Sequence, residues 1–135
     1  MDNQVNVDLA NIRLEQAKQC LRAAQLLIDS GLYKDSANRS YYAILHSMRA
    51  VLALEAIDSK KHSGVIAAFR KRYIKTGKLD AKLSQIIKNS FEVRNLSDYN
   101  DFYIVSKTLV VEQLENACIF LAAAENYIEN HTNAV

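Results

Sequence analysis

The apolar residues of this chain recur at alternating steps of four and three, and this spacing constrains the fold more than any other feature. One such series runs from about Asp8 to Ser30, and a second begins at about Val110. The repeated positions are Ala10, Leu14, Ala17, Leu21, Ala24 and Ile28 in the first series, and Leu114, Ala117, Leu121, Ala124 and Ile128 in the second. Helical geometry puts each series on one face of an α-helix. The alternation of large and small side chains favours close packing of helix on helix.

Composition extends the helical reading to the whole chain. Its 135 residues include no proline and only three glycines, and half of them are hydrophobic. Proline and glycine are the main breakers of helices, so their scarcity favours long uninterrupted ones. A chain of this length can bury a sufficient core without metals or disulfides. The sequence predicts an all-α protein, with one domain over residues 1–135 that contains four main helices and one additional short helix.

The second predicted helix, from about Asp35 to Ile57, has two distinct faces. Its apolar stripe consists of Ala37, Tyr41, Ile44, Met48 and Val51, and its polar arc consists of Arg39, Tyr42, His46 and Arg49. Two arginines, a histidine and a tyrosine on one arc are suited to holding a phosphate and stacking a base. A solvated helix face would give the same pattern. The sequence leaves both readings open, with Arg39, Tyr42 and His46 as candidate binding residues.

The remaining helices are bounded by polar segments and glycines. Gly31 is the expected stop of the first helix, and Gly77 that of the short third helix, which opens near His62 with Ser63 as candidate N-cap. A fourth helix is predicted from about Leu79 into the region of residue 94. Asparagine, serine and aspartate crowd together between residues 95 and 101. This segment is predicted to contain a helix end, a kink or a turn.

The cysteines and the apolar runs indicate the class of protein. Cys20 and Cys118 lie inside helical patterns without a Cys-x-x-Cys spacing. We therefore expect both to be buried small side chains and predict neither a metal site nor a cofactor. No apolar run approaches the length of a membrane span, and the first residues do not resemble a signal peptide. A cytoplasmic protein without a membrane partner is expected.

Positive charge is concentrated in the middle of the chain. No acid occurs between Asp58 and Asp80, whereas seven cations do: Lys60, Lys61, Arg70, Lys71, Arg72, Lys75 and Lys78. Lys60 and Lys61 directly precede His62, and the free N–H groups of a helix N-terminus favour anions. These three residues are candidates for phosphate binding. A solvated lysine-rich face and a simple capped loop are the alternatives.

Arg94 occupies a position where the helical pattern calls for an apolar side chain. It shares an arc with Leu83, Ile87 and Phe91. Burying an unpaired guanidinium costs several kcal/mol, so a partner or a ligand is expected beside it. Asp98, one turn later, is the obvious partner. The pair fixes packing alone or belongs to a functional site; in the second case the adjacent Asn95 and Tyr99 are candidates as well.

In these segments the chain resembles the HEPN family of nucleotide-binding helical domains. The resemblance rests on the segment from Gly31 to Ala43, on His62-Ser63-Gly64-Val65, on Phe69 with the basic run, and on Arg94 followed by Asp98-Tyr99. It covers nearly the whole chain. It implies an up-and-down four-helix bundle with one additional short helix, which is often a homodimer. In prokaryotes such a bundle is frequently paired with a small nucleotidyltransferase in toxin–antitoxin modules.

Many HEPN toxins are metal-independent ribonucleases with an arginine followed four to six residues later by histidine. Histidine moves the proton and arginine holds the charge that builds on the phosphate. Here the three corresponding positions after Arg94 are Asp98, Tyr99 and Asn100, so that motif lacks its histidine. Three hypotheses follow: a nucleotide- or RNA-binding module, a ribonuclease using Arg94 and an unconventional base such as His46 or His62, and a purely structural subunit.

Overall fold

A computed structural model describes residues 2–133, which fold into five α-helices. They are α1 (Asp2–Asp29), α2 (Tyr33–Ala53), α3 (His62–Phe69), α4 (Lys82–Tyr99) and α5 (Lys107–Asn133). A π-helical stretch, Arg70–Ile74, extends α3. Four long helices and one short one, with no strand among the described residues, confirm the predicted all-α bundle. None of the helices in this part of the chain combines the length and apolar character needed to cross a bilayer.

The central helix of the bundle is α2, which packs against every other helix. Two hydrogen bonds show that it runs antiparallel to α1: Ser36 Oγ donates to the carbonyl of Ala24 at 2.9 Å, and Arg13 Nη1 donates to that of Arg49 at 3.1 Å. The connection between the two helices is only three residues long. A short connection of this kind forces neighbouring helices to pack antiparallel.

The predicted apolar stripe of α2 forms the centre of the core, since all five of its members are buried. On one side, the ring of Phe69 lies 5.5 Å from those of Tyr73 and Phe120, centroid to centroid, and joins the α3 extension to α5. A smaller apolar cluster, which includes Val93 and Val110, lies where α4 passes into α5. The core therefore holds α2 in place between α1, α4 and α5.

Both expected glycine stops are confirmed, because Gly31 and Gly77 each have a φ of +76°. Glycine adopts this left-handed conformation without a steric penalty. The end of α2 was predicted less well. It lies at Ala53 rather than near Ile57, because the chain turns at Ala56, whose φ is +57°. The Ile57 N–H donates back to the Leu52 carbonyl at 3.1 Å and closes this turn.

Three other details differ from the predictions. The N-cap of α3 is Lys61 and not Ser63, which already lies inside the first helical turn, and the Lys61 N–H donates to Ser59 Oγ at 3.3 Å. Cys20 is buried as expected, but Cys118 is exposed, because it points away from the buried seam of α5. The starts of α1, α4 and α5 differ from prediction by three to six residues, as expected of helix ends.

Candidate functional site

Three aromatic rings form a compact cluster where α2, α3 and α4 meet. Tyr41 is 1% exposed, and its hydroxyl lies 3.0 Å from Nδ1 of His62, the first residue of α3. The ring of Tyr42 is perpendicular to both, with centroid distances of 5.3 Å to Tyr41 and 5.6 Å to His62. A buried tyrosine hydroxyl needs a partner, and His62 supplies it. The start of α3 is thereby attached to the middle of α2.

Arg94 of α4 lies against this cluster. Its guanidinium carbon is 5.2 Å from the centre of the Tyr41 ring and 5.9 Å from that of Tyr99. Both distances fall within the range of a cation–π interaction, which is worth about 0.5–2 kcal/mol. The side chain of Arg94 is only 18% exposed, so the inward orientation predicted from the helical pattern is largely correct. The cation faces the edge of the core and rests on an aromatic surface.

The predicted partner of Arg94 is present, but the pairing is incomplete. Arg94 Nε lies 3.1 Å from Asp98 Oδ2, while its N–H is not directed at the carboxylate. In the described part of the chain this buried Nε has no hydrogen-bond acceptor. The Asp98 side chain is 32% exposed, and water therefore screens the ion pair. Arg94 keeps donor capacity that an anionic ligand can use.

The polar arc of α2 continues from this cluster toward α1. The guanidinium carbon of Arg39 lies 5.0 Å from the centre of the Tyr42 ring, and His46 stands 6.3 Å from Tyr42 on the next turn. Together with Gln16 and Gln19, Arg39 and His46 line a groove of about 400 Å³ between α1 and α2. All three arc residues are half-buried. These three side chains are therefore partly enclosed, whereas the alternative, a freely solvated helix face, would leave them exposed.

The fourth member of the arc, Arg49, has a different role. It donates to both carboxylate oxygens of Asp58, at 3.2 and 3.0 Å, and Arg13 of α1 also donates to Asp58 at 3.1 Å. Arg49 lowers the pKa of the Asp58 carboxyl most strongly, by hydrogen bonding. Arg49 is therefore engaged in holding the loop that leads to His62. It is not available to bind a phosphate, as the spacing alone had allowed.

The remaining candidates lie at the margins of the cluster. Tyr99, the last residue of α4, is 75% exposed, and Asn95 is half-buried on the same helix. Lys60 and Lys61 are exposed in the loop before α3 and form no ion pair within residues 2–133. The structure thus brings Arg94, Asp98 and Tyr99 together with His62 around Tyr41, and Tyr42 adjoins them. Arg39 and His46 lie together in the groove toward α1, and the two lysines contribute only general positive charge.

Both histidines of the region favour the neutral form. Burial lowers the pKa of His62, and the nearby cations Arg94 and Arg49 lower it further. His46 has a lowered pKa for the same reasons, with burial first and Arg49 next. Burial raises the pKa of Tyr41 to about 12, although Arg94 opposes the shift. At neutral pH an uncharged imidazole can accept a proton, while the Tyr41 hydroxyl keeps its own.

Sequence reasoning missed Tyr41 and Phe91 as parts of the site, because both match the apolar stripes and were assigned to the core. Tyr41 does line the core, but its hydroxyl points toward His62. Phe91 lies 6.2 Å from the Tyr41 ring and forms the adjoining wall. The available signal was the tyrosine itself, since a hydroxyl at a buried position has to find a hydrogen-bond partner.

Comparison with known proteins gives consistent matches. The family model described as HEPN domain matches residues 10–131. A UPF0332 protein of Thermotoga maritima is 34% identical over 85% of this chain and 87% of its own length. Two proteins of Methanocaldococcus jannaschii that are named as candidate toxins also match. One is 32% identical over 85% of this chain and 78% of its own, and the other is 37% identical over 64% of each.

Proposed function

The chain belongs to the HEPN domain family, and we propose that it is a nucleotide- or RNA-binding module that acts with a small nucleotidyltransferase in a toxin–antitoxin-type pair. The observation that carries the binding proposal is the state of Arg94. Its guanidinium rests on Tyr41 and is largely shielded from solvent, and its two Nη groups form no hydrogen bond within residues 2–133. A phosphate oxygen would accept from these Nη groups and add a charge-assisted hydrogen bond.

The surrounding side chains supply the other contacts of a nucleotide. Arg39 provides a second cation for phosphate, while the Lys60-Lys61 loop adds long-range attraction. Tyr99 is the better stacking surface for a base, because it is 75% exposed, whereas Arg39 and two neighbouring rings cover Tyr42. Stacking on an exposed aromatic ring is tolerant of base identity.

Titration of fluorescent short RNAs and of AMP tests the binding site. We expect Arg94→Ala to weaken binding at least about tenfold, the loss of one charge-assisted hydrogen bond in a shielded site. Arg22→Ala is the matched control, since Arg22 is an exposed arginine of α1 paired only with Glu15. Undetectable binding by the wild type, or equal affinity in a folded Arg94→Ala protein, contradicts the proposal.

The toxin–antitoxin assignment is supported by the names of the Methanocaldococcus jannaschii relatives and by the family itself. Its test is to co-express the chain with the product of the adjacent gene. Recovery of a stable complex with a small nucleotidyltransferase supports the pairing. The absence of such a gene, or two proteins that separate during purification, contradicts it.

We further propose that the module is a homodimer. Leu96, Tyr99, Phe102 and Ile104 are 42%, 75%, 94% and 87% exposed, and all four lie within nine residues. Large apolar side chains clustered in this way usually mark an interface. Tyr103 is not part of this surface, because it packs against the smaller apolar cluster. The expected dimer surface is therefore the end of α4 and the loop after it.

A second candidate function, a metal-independent ribonuclease, is favoured by the position of His62. Arg94 and His62 both contact Tyr41, so a histidine from another helix stands beside the arginine that lacks one in its own segment. A neutral imidazole can take the proton of a 2′-hydroxyl while Arg94 stabilises the charge on the phosphate. Tyr41 would then be a positioning residue that fixes the His62 ring.

Incubation with total RNA in EDTA decides between binding and cleavage. Cleavage that is lost in both Arg94→Ala and His62→Ala, but retained in His131→Ala, establishes the ribonuclease. His131 serves as control because it lies in the last turn of α5. Tyr41→Phe should shift the pH profile of cleavage and reduce rather than abolish it. Intact RNA at all enzyme concentrations leaves the binding module as the function.

A further inference from the structure

A second cavity, of about 330 Å³, lies between α3 and α4. Ile66, Ala67, Ile87 and Phe91 make it largely apolar. Its volume is at the lower end of the range for small-molecule sites, about 300–1,000 Å³. An apolar cavity of this size, with the aromatic ring of Phe91 in its lining, can accommodate a planar ring system.

The charged side chains that line the same cavity indicate the charge of the ligand it can bind. Arg70 and Lys88 line it from the α3 extension and from α4, and Glu92 is the one acid among its lining residues. Arg70 Nε and Nη2 donate to the hydroxyl and carbonyl of Ser84, at 3.0 and 3.2 Å, so its guanidinium is held in position. Its Nη1 forms no hydrogen bond within residues 2–133. Two cations and one carboxylate favour a ligand with an anionic group.

The cavity adjoins the site around Arg94. Phe91 lines the cavity and also lies 6.2 Å from the Tyr41 ring, on whose surface Arg94 rests. Ser63, another lining residue, directly follows His62. One side chain on each wall therefore separates the cavity from the proposed phosphate site. A flexible chain bound at Arg94 can extend into it without crossing the bundle.

We propose that this cavity receives one nucleobase of a single-stranded RNA whose neighbouring phosphate is bound by Arg94, an inference that rests on the proposed binding function. The base stacks on Phe91, and Arg70 and Lys88 hold the next phosphate. The carboxylate of Glu92 accepts a hydrogen bond from an exocyclic amino group. Adenine, cytosine and guanine carry such a group and uracil does not, so oligo(A) binds more tightly than oligo(U).

The test measures fluorescence anisotropy of labelled hexa-adenylate and hexauridylate. Ala67→Phe fills the cavity without removing a charge, and Ala122→Phe is the matched control, because both alanines are exposed on helices. We expect Ala67→Phe to weaken hexa-adenylate binding about tenfold, the value of one stacked base, and Ala122→Phe to leave it unchanged. Glu92→Gln, which keeps the cavity open, should reduce the preference for adenylate over uridylate.

The outcomes separate this inference from the proposed function. If Arg94→Ala abolishes RNA binding while a folded Ala67→Phe protein binds normally and Glu92→Gln keeps the base preference, the cavity inference is overturned and the proposed function stands. If the wild type does not bind RNA, the probe becomes AMP, followed by the NMR signals of Phe91 and Ala67. Shifts at these two residues support the cavity alone, and their absence overturns both proposals.

Discussion

Tyr41 performs two functions through one side chain. Its ring fills the core of the bundle and supports the guanidinium of Arg94, while its hydroxyl holds His62 at the start of α3. Phenylalanine would fill the same volume but could not fix the imidazole. Because burial raises the pKa of Tyr41 to about 12, this hydroxyl remains protonated and the arrangement persists at every physiological pH. The histidines nearby are the groups that respond to acid.

Acid is expected to destabilise the fold through these histidines. The pKa values of His46 and His62 in the folded protein lie below their ordinary 6.5, so the unfolded chain binds more protons in the window at and just below that pH. The free energy of unfolding should therefore rise as the pH rises through this window. Urea titrations at about pH 5.5 and about pH 7.5 measure the change.

Substitutions assign this pH dependence to its source. The double variant His46→Gln, His62→Gln should flatten this pH dependence. The control variant His131→Gln should leave it unchanged, because His131 is exposed in the last turn of α5. A wild-type stability that is equal at both pH values, or that is greater in acid, contradicts the assignment.

A strained residue closes α2 and offers a stability test that does not involve the site. Ala56 has a φ of +57°, a conformation that costs a residue with a Cβ about 1–2 kcal/mol. Glycine removes that strain but loses about 0.5–1 kcal/mol in chain entropy. Ala56→Gly should therefore stabilise the protein slightly, by up to about 1 kcal/mol, and Ala56→Val should destabilise it. Thermal melting curves of the three proteins check both directions.

At the scale of whole elements, the helices were predictable and their ends were not. The four-three series identified α1 and α5, and all five residues of the predicted α2 stripe are buried, because burial follows the helical period. The end of α2 depends instead on a tight turn at Ala56. The sequence gives no signal for this turn, because the residue with positive φ is an alanine and not a glycine. The first residue before α3 is Lys61, whose side chain does not cap the helix, so the sequence preference for a serine cap gave the wrong position.

The site was predictable as a set of residue types and not as a set of contacts. Arg94 and Asp98 were paired correctly from their spacing on one helix. The contact between Tyr41 and His62 joins residues 21 positions apart on different helices, and no local pattern encodes it. Arg49 was assigned to the binding arc because its helix face is polar. Its actual partner, Asp58, lies in the loop beyond α2, so the spacing of residues within a helix could not predict this contact.

Asp58 connects three elements, so its removal is expected to loosen all of them. Its carboxylate binds Arg13 of α1 and Arg49 of α2, and Asp58 Oδ1 also accepts the Ser59 N–H at 2.8 Å in the loop. The Asp58 side chain is 46% exposed, and such pairs are worth about 1 kcal/mol or less. Asp58→Asn should lower the free energy of unfolding by about that amount. Asp101→Asn, at an exposed carboxylate, should change it little.

The stronger effect of Asp58→Asn should be local. Hydrogen exchange of the amides between residues 54 and 61 is expected to accelerate, because the loop loses its attachment to both helices. The NMR signals of His62 should shift as well, since that loop leads directly into α3. Unchanged exchange in a folded variant would show that packing alone holds the loop and that the arginines are dispensable.

In the whole molecule, the proposed binding site and the proposed dimer surface meet at the end of α4. Tyr99 belongs to both, since it contacts the guanidinium of Arg94 and adjoins the exposed Leu96, Phe102 and Ile104. A second copy docked at this surface would bring two Arg94 sites close together and share the stacking face of Tyr99 between the protomers. Ligand binding and assembly are therefore expected to be coupled.

Sedimentation of the wild type should accordingly show a species of twice the chain mass, and Phe102→Ser with Ile104→Ser should convert it to the monomer without lowering helicity. These two side chains are 94% and 87% exposed, so their replacement removes apolar surface from an interface and nothing from the core.

Leu26→Ser with Ile12→Ser, exposed apolar residues of α1, provides the matched control and should leave the dimer intact. A wild type that sediments as a monomer at high concentration would contradict the dimer. A dimer that survives the Phe102 and Ile104 changes but not those in α1 would place the interface elsewhere. In the dimer, bound RNA should raise the association constant, and the Arg94→Ala protein should lose that increase while still assembling.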